Sequence, residues 1–377
     1  ISFNSSEYIM PPIVMIAGQE ASVQGDSTAW SASRIINSDD VEGLILYNID
    51  YLDLAGNVGI ENNDQTTDSS LVVYDRTSPQ GFVINDGESD DISFTGSDSI
   101  LSANWDSFFD EISGVDYYEF SVGSSVGQAD VVDWTYNGLD TTMTIGGLTL
   151  SNTVTYYVNI RAVDIAGNVS DYIVSNGVTV DLIGPSAGLV FDGEIGDIDW
   201  TNSMNSLSGN WTDFSDDLSG LSSYQYAIGT EVDSFSLVSW RSVGVDTVIS
   251  EPELELVSGT TYYLFVRALD SALNIGPSAS SDGITVDLLA PEVAAVNDGI
   301  EGEDIDWQSS DSTLSFSWSG SDLREIYFYE YSIGSSPGDT SIMGWADNGS
   351  DISVTVDSLA LSHEQILYGN VRVIDLA

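Results

Sequence analysis

Tyr156-Tyr157-Val158-Asn159-Ile160-Arg161-Ala162-Val163-Asp164-Ile165-Ala166-Gly167-Asn168 is a run of alternating residues that ends in a polar, acidic turn. It recurs as Tyr262-Tyr263-Leu264-Phe265-Val266-Arg267-Ala268-Leu269-Asp270-Ser271-Ala272-Leu273-Asn274, and again from Leu367-Tyr368 to Asp375-Leu376-Ala377. Ile49-Asp50-Tyr51-Leu52-Asp53-Leu54-Ala55-Gly56-Asn57 is a shorter echo. A period-two pattern closed by Gly, Asn and Asp reads as a β-strand running into a turn.

Around this stretch the whole chain repeats. Pro79, Pro185 and Pro291 lie 106 residues apart, and so do Asp75, Asp181 and Asp287. Trp105 and Trp211 match, with Trp318 one residue later, and Tyr118, Tyr224 and Tyr329 follow them. A period of this length is too long for a solenoid repeat and suits a whole β-sandwich. The strands expected within one period are Leu101–Trp105, Tyr117–Val122, Thr142–Ile145, Tyr156–Val163 and Gly177–Val180. No segment holds a 3.6-residue apolar period, so long helices are not expected.

Composition narrows the function classes. The chain has seven Arg, no Lys and 60 acidic residues, for a net charge of -53. Such a surface repels nucleic acid and anionic membranes and attracts cations. With no Cys there is neither a disulfide framework nor a thiolate metal site. No run is long and apolar enough for a membrane helix. His363 is the single His and has no counterpart in the other repeats, so no repeated Ser-His-Asp arrangement exists. Carboxylate pairs are expected by chance at this acid content, and a non-enzymatic role is expected.

Trp105, Tyr118, and Leu150 six residues before Tyr156 resemble the fibronectin type III family, as do Trp211, Tyr224, Leu256 and Tyr262. The resemblance implies tandem sandwiches in an elongated rod, with Tyr156 and Tyr262 in tyrosine corners. Leu367 replaces that Tyr in the last copy. Expected divisions are an Ig-like sandwich at 1–78, incomplete at its N-terminus, and fibronectin-like sandwiches at 79–184, 185–290 and 291–377, the last without its final strand. Residues 3–7 and 16–18 resemble strands of bacterial Ig-like domains. The chain reads as a window of a longer protein.

In this fold the linker, the loop between strands B and C, and the loop between F and G meet at one pole. The resemblance therefore implies three acidic groups: Asp75 with Asp110, Glu111 and Asp164; Asp181 with Asp216, Asp217 and Asp270; and Asp287 with Asp322 and Asp375. Such oxygen-rich groups suit Ca²⁺ better than Zn²⁺ or Cu²⁺. Asx turns and a solvated surface are the alternative. Further acids follow strand A at Asp86–Asp91, Asp192–Asp199 and Asp298–Asp306, the last run including Glu303. Arg161, Arg267 and Arg372 are expected on the outward face of strand F, each paired with a cross-strand acid. Trp134, Trp240 and Trp345 lie outside the assigned strands, either covering the sheet or offering a ligand platform.

The resemblance further implies a segment of a large, secreted or cell-surface bacterial protein. It would act as an extender rod or filament protomer in an adhesin or appendage, calcium-stiffened at its joints. Its partners would be neighbouring modules and identical chains, with no nucleic acid and no membrane insertion. A glycan- or cell-surface-binding adhesion module is the alternative.

Overall fold

The computed structural model describes residues 1–59, 66–231, 235–302, 304–322 and 326–377. Glu303 lies outside the described residues. Every regular element among the described residues is a strand, and no helix is long and apolar enough to cross a membrane. The chain divides into two compact units, Ile1–Leu182 and Ile183–Ala377. Among the described residues the buried side chains fall into four clusters, within 14–49, 84–180, 190–286 and 316–356.

The second module shows how sequence becomes sandwich. One sheet places strand A (Ile84–Asp86) beside B (Ile100–Trp105) and E (Thr142–Gly146). The other orders a short strand Phe94–Thr95, then G (Val178–Val180), F (Thr155–Asp164), C (Val115–Gly123) and C′ (Val132–Gly138). Apart from the short strand Phe94–Thr95, three strands thus face G, F, C and C′, the arrangement that the resemblance to fibronectin type III domains implies. Alternation decides which side chains face inward. On F these are Tyr156, Val158, Ile160 and Ala162, the last three with no exposed surface. They meet Leu101, Ala103 and Trp105 from B and Met143 from E. Trp105 packs edge-on to Tyr118 with ring centroids 5.7 Å apart.

The third module repeats both sheets, with F at Thr261–Asp270 paired to C at Leu221–Gly229. In the fourth, Glu292–Asp298, Leu314–Ser321 and Ser353–Val356 face Met343–Asp347, Ile326–Gly334 and Tyr368–Asp375. The first module is built differently, from two three-stranded sheets and a short ladder around Val14, Ile16, Ala32 and Ile49.

Both expected tyrosine corners are present. The Ser151 N–H donates to the Tyr156 hydroxyl at 3.0 Å, and the Val257 N–H to that of Tyr262 at 3.0 Å. In the last copy Leu367 packs half-buried against the core without such a bond.

One strand goes beyond the sequence reading. Trp134, Trp240 and Trp345 are not in irregular segments but in C′ strands, at Val132–Gly138, Val238–Gly244 and Met343–Asp347. Each is covered by an arginine from F: Arg161 at 4.2 Å, Arg267 at 4.2 Å and Arg372 at 4.5 Å from the ring centroid. With few cations in the chain, the indole face supplies an electrostatic partner that sequence pairing did not suggest. Arg161 also bridges Glu119 at 2.6 Å, and Arg372 bridges Glu330. Arg267 departs from the expected ion pair, because its cross-strand neighbour is the amide Gln225, reached at 2.8 Å.

Candidate metal centre

Three segments of the first unit bring carboxylates together: the linker, the B–C loop and the F–G loop. Asp75, Asp110 and Asp164 each offer an oxygen, and these lie within 4.8 Å of one another. Asp75 and Asp164 are buried and Asp110 is half-buried.

Local chemistry sets each acid in place. Asp75 Oδ1 accepts the Thr77 N–H at 2.9 Å, a turn that leads the chain into Pro79. The linker is also tied back to the first module, through Arg76 to the Ser38 carbonyl and Thr77 Oγ1 to Glu42. In the B–C loop, Asp110-Glu-Ile-Ser113-Gly114 winds around one oxygen. Asp110 Oδ1 accepts N–H bonds from Ile112 at 3.2 Å, Ser113 at 2.9 Å and Gly114 at 2.7 Å. Gly114, at φ +78°, makes the closing bend that other residues adopt only at a cost. In the F–G loop, Asp164 accepts the Asn168 backbone N–H at 2.8 Å and its side-chain amide at 2.7 Å.

Hydrogen bonds then join the segments. The Ser113 N–H is shared with Asp75 Oδ2 at 3.0 Å, and Asn168 Nδ2 reaches the Asp75 carbonyl at 3.2 Å. The linker is thereby bonded to both loops.

A cation fits the remaining capacity of this group. Each carboxylate has about four lone-pair sites, and Asp164 uses two on Asn168. Asp110 Oδ2 is buried and has no hydrogen-bond partner. Among the described residues no salt bridge reaches the three acids. At this spacing each pair of charges repels by roughly 3–4 kcal/mol for an effective dielectric near 20. Oxygen donors alone, in flexible loops, match a hard ion such as Ca²⁺. Glu111 is exposed and lies outside the group.

Asp181 is buried at the end of the first unit, its N–H donating to the Thr95 carbonyl. In the second unit the same two loops recur. Asp216 gathers the N–H groups of Leu218, Ser219 and Gly220 at 3.1, 2.8 and 2.8 Å. Asp270, with no exposed surface, accepts both nitrogens of Asn274 at 2.8 Å. Asp217, like Glu111, points to solvent.

Asp287, Asp322 and Asp375 do not form an equivalent group among the described residues. Trp318 to Tyr329 is two residues shorter than Trp105 to Tyr118, and no Ser-Gly pair follows Asp322. The sequence pattern that closes the turn around Asp110 is therefore missing. Asp287 instead caps the Leu289 N–H, and Asp375 the Ala377 N–H.

The sequence reading did not isolate the Asp-x-x-Ser-Gly turn, although Asp110–Gly114 and Asp216–Gly220 display it. A further contrast sits in the F–G loop. Leu273 occupies the position of Gly167 and holds φ +68° while 74% exposed. A left-handed non-glycine residue costs about 1–2 kcal/mol, and little burial would be lost by removing it. Leu273→Gly is expected to stabilise its module by about 0.5–1 kcal/mol, measured by equilibrium denaturation.

Neither a protein-family model nor a curated protein matches the chain. Among solved structures, the crystal structure of the chicken CNTN1 FN1-FN3 domains is similar at 15% identity and a TM-score of 0.32. The match covers 80% of this chain and 93% of that one. The chain is an all-β array of tandem β-sandwiches, and in its first unit Asp75, Asp110 and Asp164 bring carboxylate oxygens within 4.8 Å of one another.

Proposed function

We propose that this chain is a non-catalytic structural segment of a large extracellular bacterial protein. Its sandwiches, at 1–78, 79–184, 185–290 and 291–377, fold on their own cores and serve as an extender rod or filament protomer of a surface adhesin or appendage. Calcium stiffens the joints. The observation that carries the reading is the convergence of Asp75, Asp110 and Asp164 from three separate segments, with Asp110 Oδ2 buried and unpartnered.

A bound Ca²⁺ would turn mutual repulsion into a shared attraction and fix the linker against both loops. At a free concentration of 100 times Kd, the ion would add about 2.7 kcal/mol to the folded state. The net charge of -53 keeps such an array soluble and draws cations to it. The adhesion alternative would use Trp134, Trp240 and Trp345 as stacking platforms, but an arginine already occupies one face of each.

Small-angle scattering in calcium and in EDTA tests this reading. The expected profile is that of a long, narrow particle whose distance distribution sharpens in calcium. A compact profile, or one that EDTA leaves unchanged, would overturn it.

A further inference from the structure

At the opposite end of the second module lies a buried acid that the junction does not use. Asp164 ends strand F, whereas Asp86 bonds Gly177 beside Tyr157 near the start of F, so about seven residues of strand, roughly 23 Å, separate the two. Asp86 closes strand A and has no exposed surface. Its Oδ2 accepts the Gly177 N–H at 2.9 Å, and the Ser175 hydroxyl bonds the same carboxyl. Oδ1 is buried without a hydrogen-bond partner. One carboxyl thereby ties the A–B–E sheet to the segment that enters strand G. Gly177 is required there: it holds φ +96°, and a Cβ would come within 2.6 Å of the Tyr157 ring.

The charged group that faces Asp86 is Asp91. Its Oδ1 accepts the Asp86 N–H at 2.9 Å, and its Oδ2 accepts the Asn176 amide at 2.8 Å. Among the described residues no salt bridge reaches either acid.

We propose that Asp86 is a proton-operated latch: neutral, it holds strand A to the Ser175–Gly177 segment, and ionised, it loosens that tie. Geometry supports this first, since a fully buried carboxylate with an unpartnered oxygen is costly when charged and not when neutral. Burial also pushes the carboxyl up to about 6. Bonds from Ser175 and Gly177 pull the other way, and the Asp91 charge adds to the rise. Because the folded value lies above the ordinary 3.8, the latch contributes fully below that value. Its contribution is lost as pH rises through about 6.

The third module provides an internal comparison. Asp192 takes the place of Asp86, bonded to the Gly283 N–H at 3.0 Å and to Ser281. Asp282 stands where Asn176 does, so that Asp192, Asp197 and Asp282 bring oxygens within 4.8 Å. There burial, with Asp197 and Asp282 adding repulsion, pushes Asp192 up to about 7. Exchanging one amide for a carboxylate accompanies the higher value.

The test is a carboxyl ¹³C titration of the full chain in EDTA, with Asp86 assigned by the signal lost in Asp86→Asn. Amide exchange at Gly177, corrected for its intrinsic pH dependence, is followed alongside. The expected midpoint is near 6, with protection at Gly177 about ten-fold greater at pH 5 than at pH 8. Asp86→Asn should make that protection independent of pH, and Asn176→Asp should move the midpoint upward. A midpoint at an ordinary carboxylate value, or Gly177 protection that ignores pH, would overturn the proposal. Should Asp86→Asn fail to fold, the wild-type and Asn176→Asp titrations decide alone.

Discussion

Trp105→Ala is expected to lower the stability of the second module by about 3–5 kcal/mol, the cost of emptying a large buried aromatic site. Trp105 is 5% exposed and lies against Tyr118 within a cluster drawn from both sheets. Its indole nitrogen is buried without a partner, which places the cost toward the lower end of that range. The damage should also stay local. The cluster around Trp211 and that around Trp318 contain no residue of the cluster around Trp105. Hydrogen exchange read peptide by peptide should show protection lost across 79–182 and kept across 190–286. Equal loss in both regions would mean that the clusters unfold as one.

Asp110→Ala is expected to cost about 1–3 kcal/mol through its cap, since the Ile112 and Gly114 N–H groups lose their acceptor and Ser113 keeps only Asp75 Oδ2. Without metal this cost is offset by the repulsion from Asp75 and Asp164 that the substitution relieves. Asp216→Ala should cost a similar amount, because Asp216 collects the same three bonds in the third module. Asp322→Ala should fall within about 0.5 kcal/mol of wild type. Its Oδ2 is buried and unpartnered, and no Ser-Gly pair follows it in the sequence. Chemical denaturation of the three variants measures the series. Equal costs at all three positions would contradict the account of the B–C turn. In calcium the Asp110→Ala cost should grow, because the variant loses a ligand as well as a cap.

Much of the fold is legible in the chain. Prolines and tryptophans at fixed spacing reveal the repeat, and alternation at Tyr156–Val163 places a strand that runs from Thr155 to Asp164. Strand C′ is harder to read. Val132-Asp-Trp-Thr-Tyr-Asn-Gly138 alternates around an aromatic that faces Arg161 and not the core. Its role depends on a residue from another strand.

The candidate site was legible in part. Linker, B–C loop and F–G loop acids come together in the first unit as the strand order implies. Sequence did not separate Asp110 from Glu111, because adjacent acids look alike until a turn points them in different directions. The last group shows the reverse case. Its acids match by position, but the spacing is two residues shorter and lacks the Ser-Gly pair that follows Asp110. Asp86 was visible only as part of an acidic run. Its burial comes from the closure of one sheet on the other, 91 residues away along the chain at Gly177.

Calorimetric titration of the EDTA-stripped chain with Ca²⁺ tests the central claim most directly, with the Asp110→Asn, Asp164→Asn double variant as control. The expected result is saturable binding at a Kd of about 10⁻⁴–10⁻³ M, as in extracellular calcium modules, with at least one site lost in the variant. Absence of saturable heat in the wild type, or binding that the variant leaves unchanged, would contradict a calcium-held junction.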